Sequence, residues 1–200
     1  MSINGLKIGI GITGSFCTFE KVFELLKQLV KEGALVSTVF SPISQNIKCR
    51  FGNGEDFLKR AEQITGRTPI TTIAGAEPIG PKHMFDIFII LPCTGNSLAK
   101  LANGIVDSPV LMAAKSHLRN ASPLLLSIST NDALSMNLKN IGLLMNMKHI
   151  FFVPFAQDNP EGKPNSLIAD YSMLIPSIEA AMSHRQLQPV LSKGTKKEVN

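Results

Sequence analysis

Apolar and polar positions along the chain fall into short runs that alternate between two periods. Leu6–Ile12 (LKIGIGI) is brief, rich in β-branched residues and ends at Thr13-Gly14-Ser15, which predicts a strand feeding a turn. Phe19, Val22, Phe23, Leu26, Leu29 and Val30 then follow the three-and-four spacing of one helical face, with Thr18 as a possible cap and Gly33 as the stop. Ala34–Phe40 predicts a second strand, closed by Ser41-Pro42. A helix is predicted over Asn53–Thr65, and a turn-rich stretch over Ala74–Lys82. Asp86–Leu91 (DIFIIL) is a nearly continuous apolar run ending at Pro92, the pattern of a strand covered on both faces. Asn96–Ala102 and Ser108–Leu118 read as helices, Leu124–Ile128 as a strand and Asp132–Met147 as a helix. Ile150–Phe155 reads as a further strand, and Leu174–Ser183 as a closing helix.

Strand and helix alternate throughout, so the chain predicts βαβ crossovers. The expected fold is a three-layer α/β domain of the Rossmann-like, flavodoxin-like kind, a parallel sheet with helices on both faces. One domain is expected over residues 1–191, followed by a basic tail at 192–200. A ligand of such a sheet belongs beyond the carboxyl ends of the strands, which directs attention to the residues after each one.

Those residues are alike. After the first strand come Gly14 and Ser15, with Thr18 beside a helix N-terminus; after the second come Ser41 and Ser44. After Pro92 come Thr94, Asn96 and Ser97, and after the fourth strand come Ser129, Thr130 and Asn131. Small hydroxyls and amides before a helix suit a phosphate, a ribityl chain or a ring edge, and they also suit ordinary capping. Gly9, Gly11 and Gly14 formally match GxGxxG, but the strand alternation continues through the first two glycines. The second strand also ends in Phe40-Ser41-Pro42, without the acid that a dinucleotide ribose needs.

Composition removes several classes. With 44% hydrophobic and 18% charged residues the chain can bury a core, and it is not of disordered type. No apolar run reaches the ~18–20 residues of a membrane span and no secretory leader opens the chain, so a cytoplasmic protein is expected. Three scattered cysteines and four scattered histidines give neither a disulfide framework nor a metal motif. The net charge of +5 is thinly spread outside the tail and there is no Trp, so no nucleic-acid partner is expected. Cys93 reads as a small packing residue rather than a nucleophile, because no adjacent histidine would activate it. Lys163, in a polar stretch with Asp158, Asn159 and Asn165, is a candidate contact for an anionic substrate, together with Lys48 and Arg50. The stretch itself could act as a lid.

The chain resembles the flavoprotein family of FMN-binding cysteine decarboxylases and flavin prenyltransferases. The resemblance rests on Gly11-Ile12-Thr13-Gly14-Ser15 and on Pro92–Ser97 followed by Leu98-Ala99-Lys100-Leu101-Ala102-Asn103-Gly104, and runs from Leu6 to about Leu191. The family's third motif, Pro-Ala-Met-Asn, is replaced by Ser129-Thr130-Asn131-Asp132. Ile128–Leu134 and Phe151–Ser166 resemble one member in particular, which helps oxidise a dihydropyridine dicarboxylate alongside an A subunit with its own NADP-binding fold. The resemblance implies an oligomer with FMN held between neighbouring protomers. Gly14, Ser15, Ser41, Thr94, Asn96 and Ser97 would contact the cofactor, and Ser129, Thr130 and Asn131 would lie near its ring edge. The decarboxylases place a catalytic histidine several residues before the third strand. His83 lies only three residues before Asp86, so a surface or hinge role is expected for it.

Overall fold

The computed structural model describes residues 2–192. The basic tail expected at 192–200 therefore lies outside the described residues, apart from Ser192.

Five strands form the parallel frame: β1 (Lys7–Ile12), β2 (Leu35–Phe40), β5 (Ile87–Cys93), β6 (Leu124–Thr130) and β7 (Ile150–Phe152). β1 lies between β2 and β5, and β6 lies between β5 and β7, all in parallel pairing. The order 2-1-5-6-7 is that of a flavodoxin-like sheet, whose direction of winding reverses between β1 and β5. Ile8, Ile10 and Ile12 of β1, with Ile87, Ile89 and Leu91 of β5, face one layer. There they meet Val22, Phe23, Leu26 and Leu29 of α1 (Phe19–Lys31) and Ile178 and Ala181 of α8 (Leu174–Met182). Phe88 and Ile90 face the other layer, against Val110, Ala113 and Ala114 of α6 (Pro109–Leu118) and Ile141 and Leu144 of α7 (Leu138–Met145).

This division explains the glycines of β1. A Cβ on Gly9 would fall within 2.7 Å of the Phe85 and Phe88 rings, and one on Gly11 would lie 2.7 Å from Val110 Cγ1. Two residues of the apparent dinucleotide motif are therefore spacers that let aromatic rings and α6 close on the strand.

The structure departs from the sequence reading in four places. The sheet is not wholly parallel: β8 (Phe155–Asn159) and β9 (Lys163–Ala169) form an antiparallel hairpin where a polar loop was expected. β9 pairs antiparallel with the last residues of β6, so β6 shares one edge between β7 and β9. The strand expected over Ile150–Phe155 stops at Phe152, because Pro154 has no N–H to give and the chain turns there into β8. The helix expected over Asp132–Met147 begins only at Leu138, since the Asp132 side chain is engaged with its neighbours. β5 continues through Pro92 to Cys93, past an irregularity in its pairing with β6 that accommodates the proline.

Between β2 and β5 lie α2 (Pro42–Asn46), the small hairpin of β3 (Lys48–Cys49) and β4 (Gly52–Asn53), α3 (Gly54–Thr65) and α4 (Ile73–Ala76). α5 (Gly95–Ala102) follows β5. No helix among the described residues is long and apolar enough to cross a membrane.

Candidate functional site

The reversal of winding between β1 and β5 leaves a crevice at their carboxyl ends, and hydroxyl chemistry ties it together. Thr13 Oγ1 donates to the Pro92 carbonyl at 2.6 Å and accepts from Thr94 N–H at 3.3 Å, joining the two strand ends. Thr94 caps α5, accepting from Ser97 N–H, and its hydroxyl lies 3.1 Å from Ser97 Oγ. The Ser15 and Ser129 hydroxyls meet at 2.8 Å across the crevice. Thr18 Oγ1 donates to the Ser15 carbonyl at 2.7 Å and fixes the turn that presents Ser15.

A cavity of about 210 Å³ lies at this junction. It is lined by Gly14, Ser15, Thr94, Ser129, Thr130 and Asn131, six of the nine residues that the sequence nominates for a cofactor. The other three lie elsewhere. Ser41 is buried as the residue before α2, its hydroxyl 2.9 Å from that of Ser44, which donates to the Ile12 carbonyl. Ser97 is buried in the α5 cap, and Asn96 is exposed on the surface of α5. The Ser41 and Ser97 side chains serve the helix starts rather than the cavity.

Lys163 lines the cavity from β9, paired with Asp158 of β8 at 3.1 Å. The hairpin that sequence reading takes as a loop is thus a wall of the site, with Ser166, Leu167 and Ile168 beside Lys163. Lys48 and Arg50 are exposed and do not line it, and neither does His83, which is exposed with a left-handed φ of 46°. Cys93 is fully buried, and burial pushes its thiol well above the ordinary range, so it forms no thiolate nucleophile at neutral pH.

Three features escape the sequence reading. Asp132 is a hub: it accepts from Thr130 Oγ1 at 2.6 Å and from Asn137 Nδ2 at 2.8 Å, while Asn140 Nδ2 donates to Asn137 Oδ1 at 2.9 Å. The first of these bonds sets the direction of the Thr130 hydroxyl, while Asn131 Oδ1 accepts from Ser166 Oγ at 3.4 Å. Cys17 lines the cavity with an exposed thiol. Tyr171, just after β9, buries its hydroxyl beside those of Thr18 and Ser129. Burial raises that phenol's pKa, and the neighbouring Thr18 and Ser129 hydroxyls offset part of the rise. The Asp132 hub had a signal in the sequence, a Thr-x-Asp spacing before a helix, whereas Tyr171 had none.

Neutral hydroxyls, one amide and one cation, its charge met in part by Asp158, stand at the end of a parallel sheet and suit an uncharged ring edge or a single phosphate rather than a metal ion. The family model described as Flavoprotein matches residues 2–179. The chain belongs to the flavoprotein family. Within it, the chain is 50% identical over 190 residues to the dipicolinate synthase B subunit of Bacillus subtilis (strain 168), covering 95% of each protein. It is 44% identical to the dipicolinate synthase B subunit of Bacillus halodurans, whose crystal structure superposes with a TM-score of 0.88 over 97% of this chain and 100% of that one. The FMN-dependent cysteine decarboxylase SpaF shares the fold, with a TM-score of 0.66 at 20% identity over 90% of this chain and 97% of its own. In this flavoprotein, then, the cavity lies where the sheet order places a ligand, and Ser129-Thr130-Asn131-Asp132 stands at the end of β6.

Proposed function

We propose that this flavoprotein is the B subunit of a dipicolinate synthase, oxidising dihydrodipicolinate to dipicolinate together with an NADP-binding A subunit. The observation that carries the reading is the 50% identity to the Bacillus subtilis protein across 95% of both chains. On this reading the chain is a single working domain over 1–191 that forms oligomers and acts in the cytoplasm of a sporulating mother cell.

The proposed cofactor is FMN. The cavity's donors fit a phosphate or a ring edge. At about 210 Å³ the cavity is smaller than the ~300–1,000 Å³ usual for ligand pockets. These residues would therefore hold only one end of the cofactor. When bound, the flavin supplies a hydride acceptor. The residues of this chain bind and orient: Ser15 and Thr94 at the helix starts, and Ser129, Thr130 and Asn131 at the end of β6. Lys163, released from Asp158, receives a carboxylate of the substrate.

The cysteine-decarboxylase reading lacks a base at the place where those enzymes keep a histidine, because His83 faces solvent away from the cavity. The test is dipicolinate formation from dihydrodipicolinate by the full-length chain, by its A subunit and by the mixture. Turnover in the mixture alone is expected. Full turnover by the A subunit alone would remove the reading.

A further inference from the structure

A pair of histidines at the opposite end of the sheet has no part in this chemistry. His149 immediately precedes β7 and His184 follows α8, so both sit at the amino ends of the parallel strands, away from the crevice. They are 35 residues apart in the chain, yet their Nδ1 atoms are 3.3 Å apart and their rings meet edge to face at 79°. Two nitrogens bound to one tetrahedral zinc at 2.0–2.1 Å are separated by about 3.3–3.4 Å, which is the spacing the pair already has.

The backbone adds a second observation. His149 has φ 67° and His184 φ 51°, both left-handed, a region that non-glycine residues occupy at a cost and that the surroundings must hold. They are held. The His149 carbonyl accepts from Leu124 N–H at 2.8 Å, and His184 N–H donates to the Ala181 carbonyl at 2.9 Å. Two residues after His184, the Gln186 amide bonds both the N–H and the carbonyl of Phe152 at 2.8 Å, fastening that segment to the edge of β7. The rings are thus brought together from two independently anchored segments.

A cavity of about 420 Å³ opens beside the pair, bounded also by Met145, Met147 and Lys148, with no carboxylate in its lining. That lining excludes magnesium and calcium, which need oxygen ligands. Imidazole and thioether donors select zinc or a neighbouring transition metal, and Lys148 opposes binding driven by charge alone. No third His, Cys, Asp or Glu completes a cluster among the described residues, so the remaining positions fall to water or a methionine sulfur.

We propose that His149 and His184 form a two-histidine site for a divalent transition metal of the zinc type, which clips the end of α8 to the start of β7. The binding step needs no redox partner: a neutral Nδ1 of each ring donates its lone pair, and any Nδ1 proton moves to Nε2 or to solvent.

The test uses the untagged full-length chain, stripped with chelator and titrated with Co²⁺ followed by Zn²⁺. One equivalent of Co²⁺ is expected to give d–d absorption that Zn²⁺ abolishes. His149→Asn and His184→Asn are the variants, because asparagine tolerates the left-handed backbone and so keeps the fold. Each should weaken binding by about tenfold or more, as the loss of a metal-supporting group does. Affinity of the double variant within about threefold of the parent (less than ~0.7 kcal/mol) would overturn the site. If an Asn variant does not fold, ¹⁵N imidazole spectra of the parent decide. Zinc-induced shifts at Nδ1 of these two residues support the site, and unchanged Nδ1 signals with saturating zinc overturn it.

Discussion

Replacing Gly95 by alanine puts a methyl group into the knot that aims the end of β6. A Cβ there would lie within 2.7 Å of Asp132 Oδ1, Asn137 Nδ2 and Thr130 Oγ1, in a turn where Thr130 Oγ1 donates to Asp132 Oδ1 and Asn137 Nδ2 to Asp132 Oδ2. The methyl cannot fit unless the carboxylate moves, and moving it breaks at least one charge-assisted bond, worth about 1.5–3 kcal/mol. Crowding adds about 1–3 kcal/mol, and the better helix propensity of alanine returns at most about 1 kcal/mol. The net loss is about 1.5–5 kcal/mol. For a chain of this size each kcal/mol moves Tm by roughly 2–4 °C, so thermal unfolding followed by circular dichroism should show a fall of about 3–20 °C. FMN affinity should fall as well, since Thr130 loses its orientation. A Gly95→Ala protein melting within about 2 °C of the parent would refute this account of the turn.

His117 is buried, with Nε2 3.0 Å from the Pro123 carbonyl, an acceptor only, so that nitrogen carries the proton. Burial lowers its pKa from 6.5 to about 4, so the unfolded chain binds a proton that the folded one refuses as pH falls from about 6.5 to about 4. Stability should fall with acidification over that window by up to about 3 kcal/mol, and denaturant titrations of His117→Gln should show a shallower slope between pH 7 and pH 5. Alkylation of the native chain should modify exposed Cys17 first and leave buried Cys93 untouched; added FMN should slow the reaction at Cys17, which lines the cavity. Rapid modification of Cys93 in the folded protein would contradict its burial.

Much of the frame is legible in the chain because burial leaves a period behind. The isoleucines of β1 alternate with glycines, and the structure shows why: one face packs on α1 and α8 while the other admits Phe88 and Val110 at close range. The same alternation separates this chain from a dinucleotide fold, since Gly9 and Gly11 are structural spacers. The β8–β9 hairpin is not legible, because Gln157, Asp158, Asn159, Lys163 and Asn165 carry no apolar period and their pairing with β6 is a tertiary event. The site divides in the same way. Small hydroxyls at strand ends point to the crevice, but sequence does not distinguish a hydroxyl facing the cavity, such as Ser15, from one spent inside a helix start, such as Ser41 or Ser97. That distinction depends on which side of each turn the side chain takes. Tyr171 meets Thr18 and Ser129 only once the chain has folded.

Fluorescence titration of FMN against the parent chain and a Ser15→Ala/Ser129→Ala variant addresses the hydroxyl crevice most directly. Each lost hydrogen bond should cost about 0.5–1.5 kcal/mol, so the account predicts that the double variant binds FMN roughly 5–100-fold more weakly while melting near the parent temperature. Equal affinity in the two proteins, at equal stability, would contradict it.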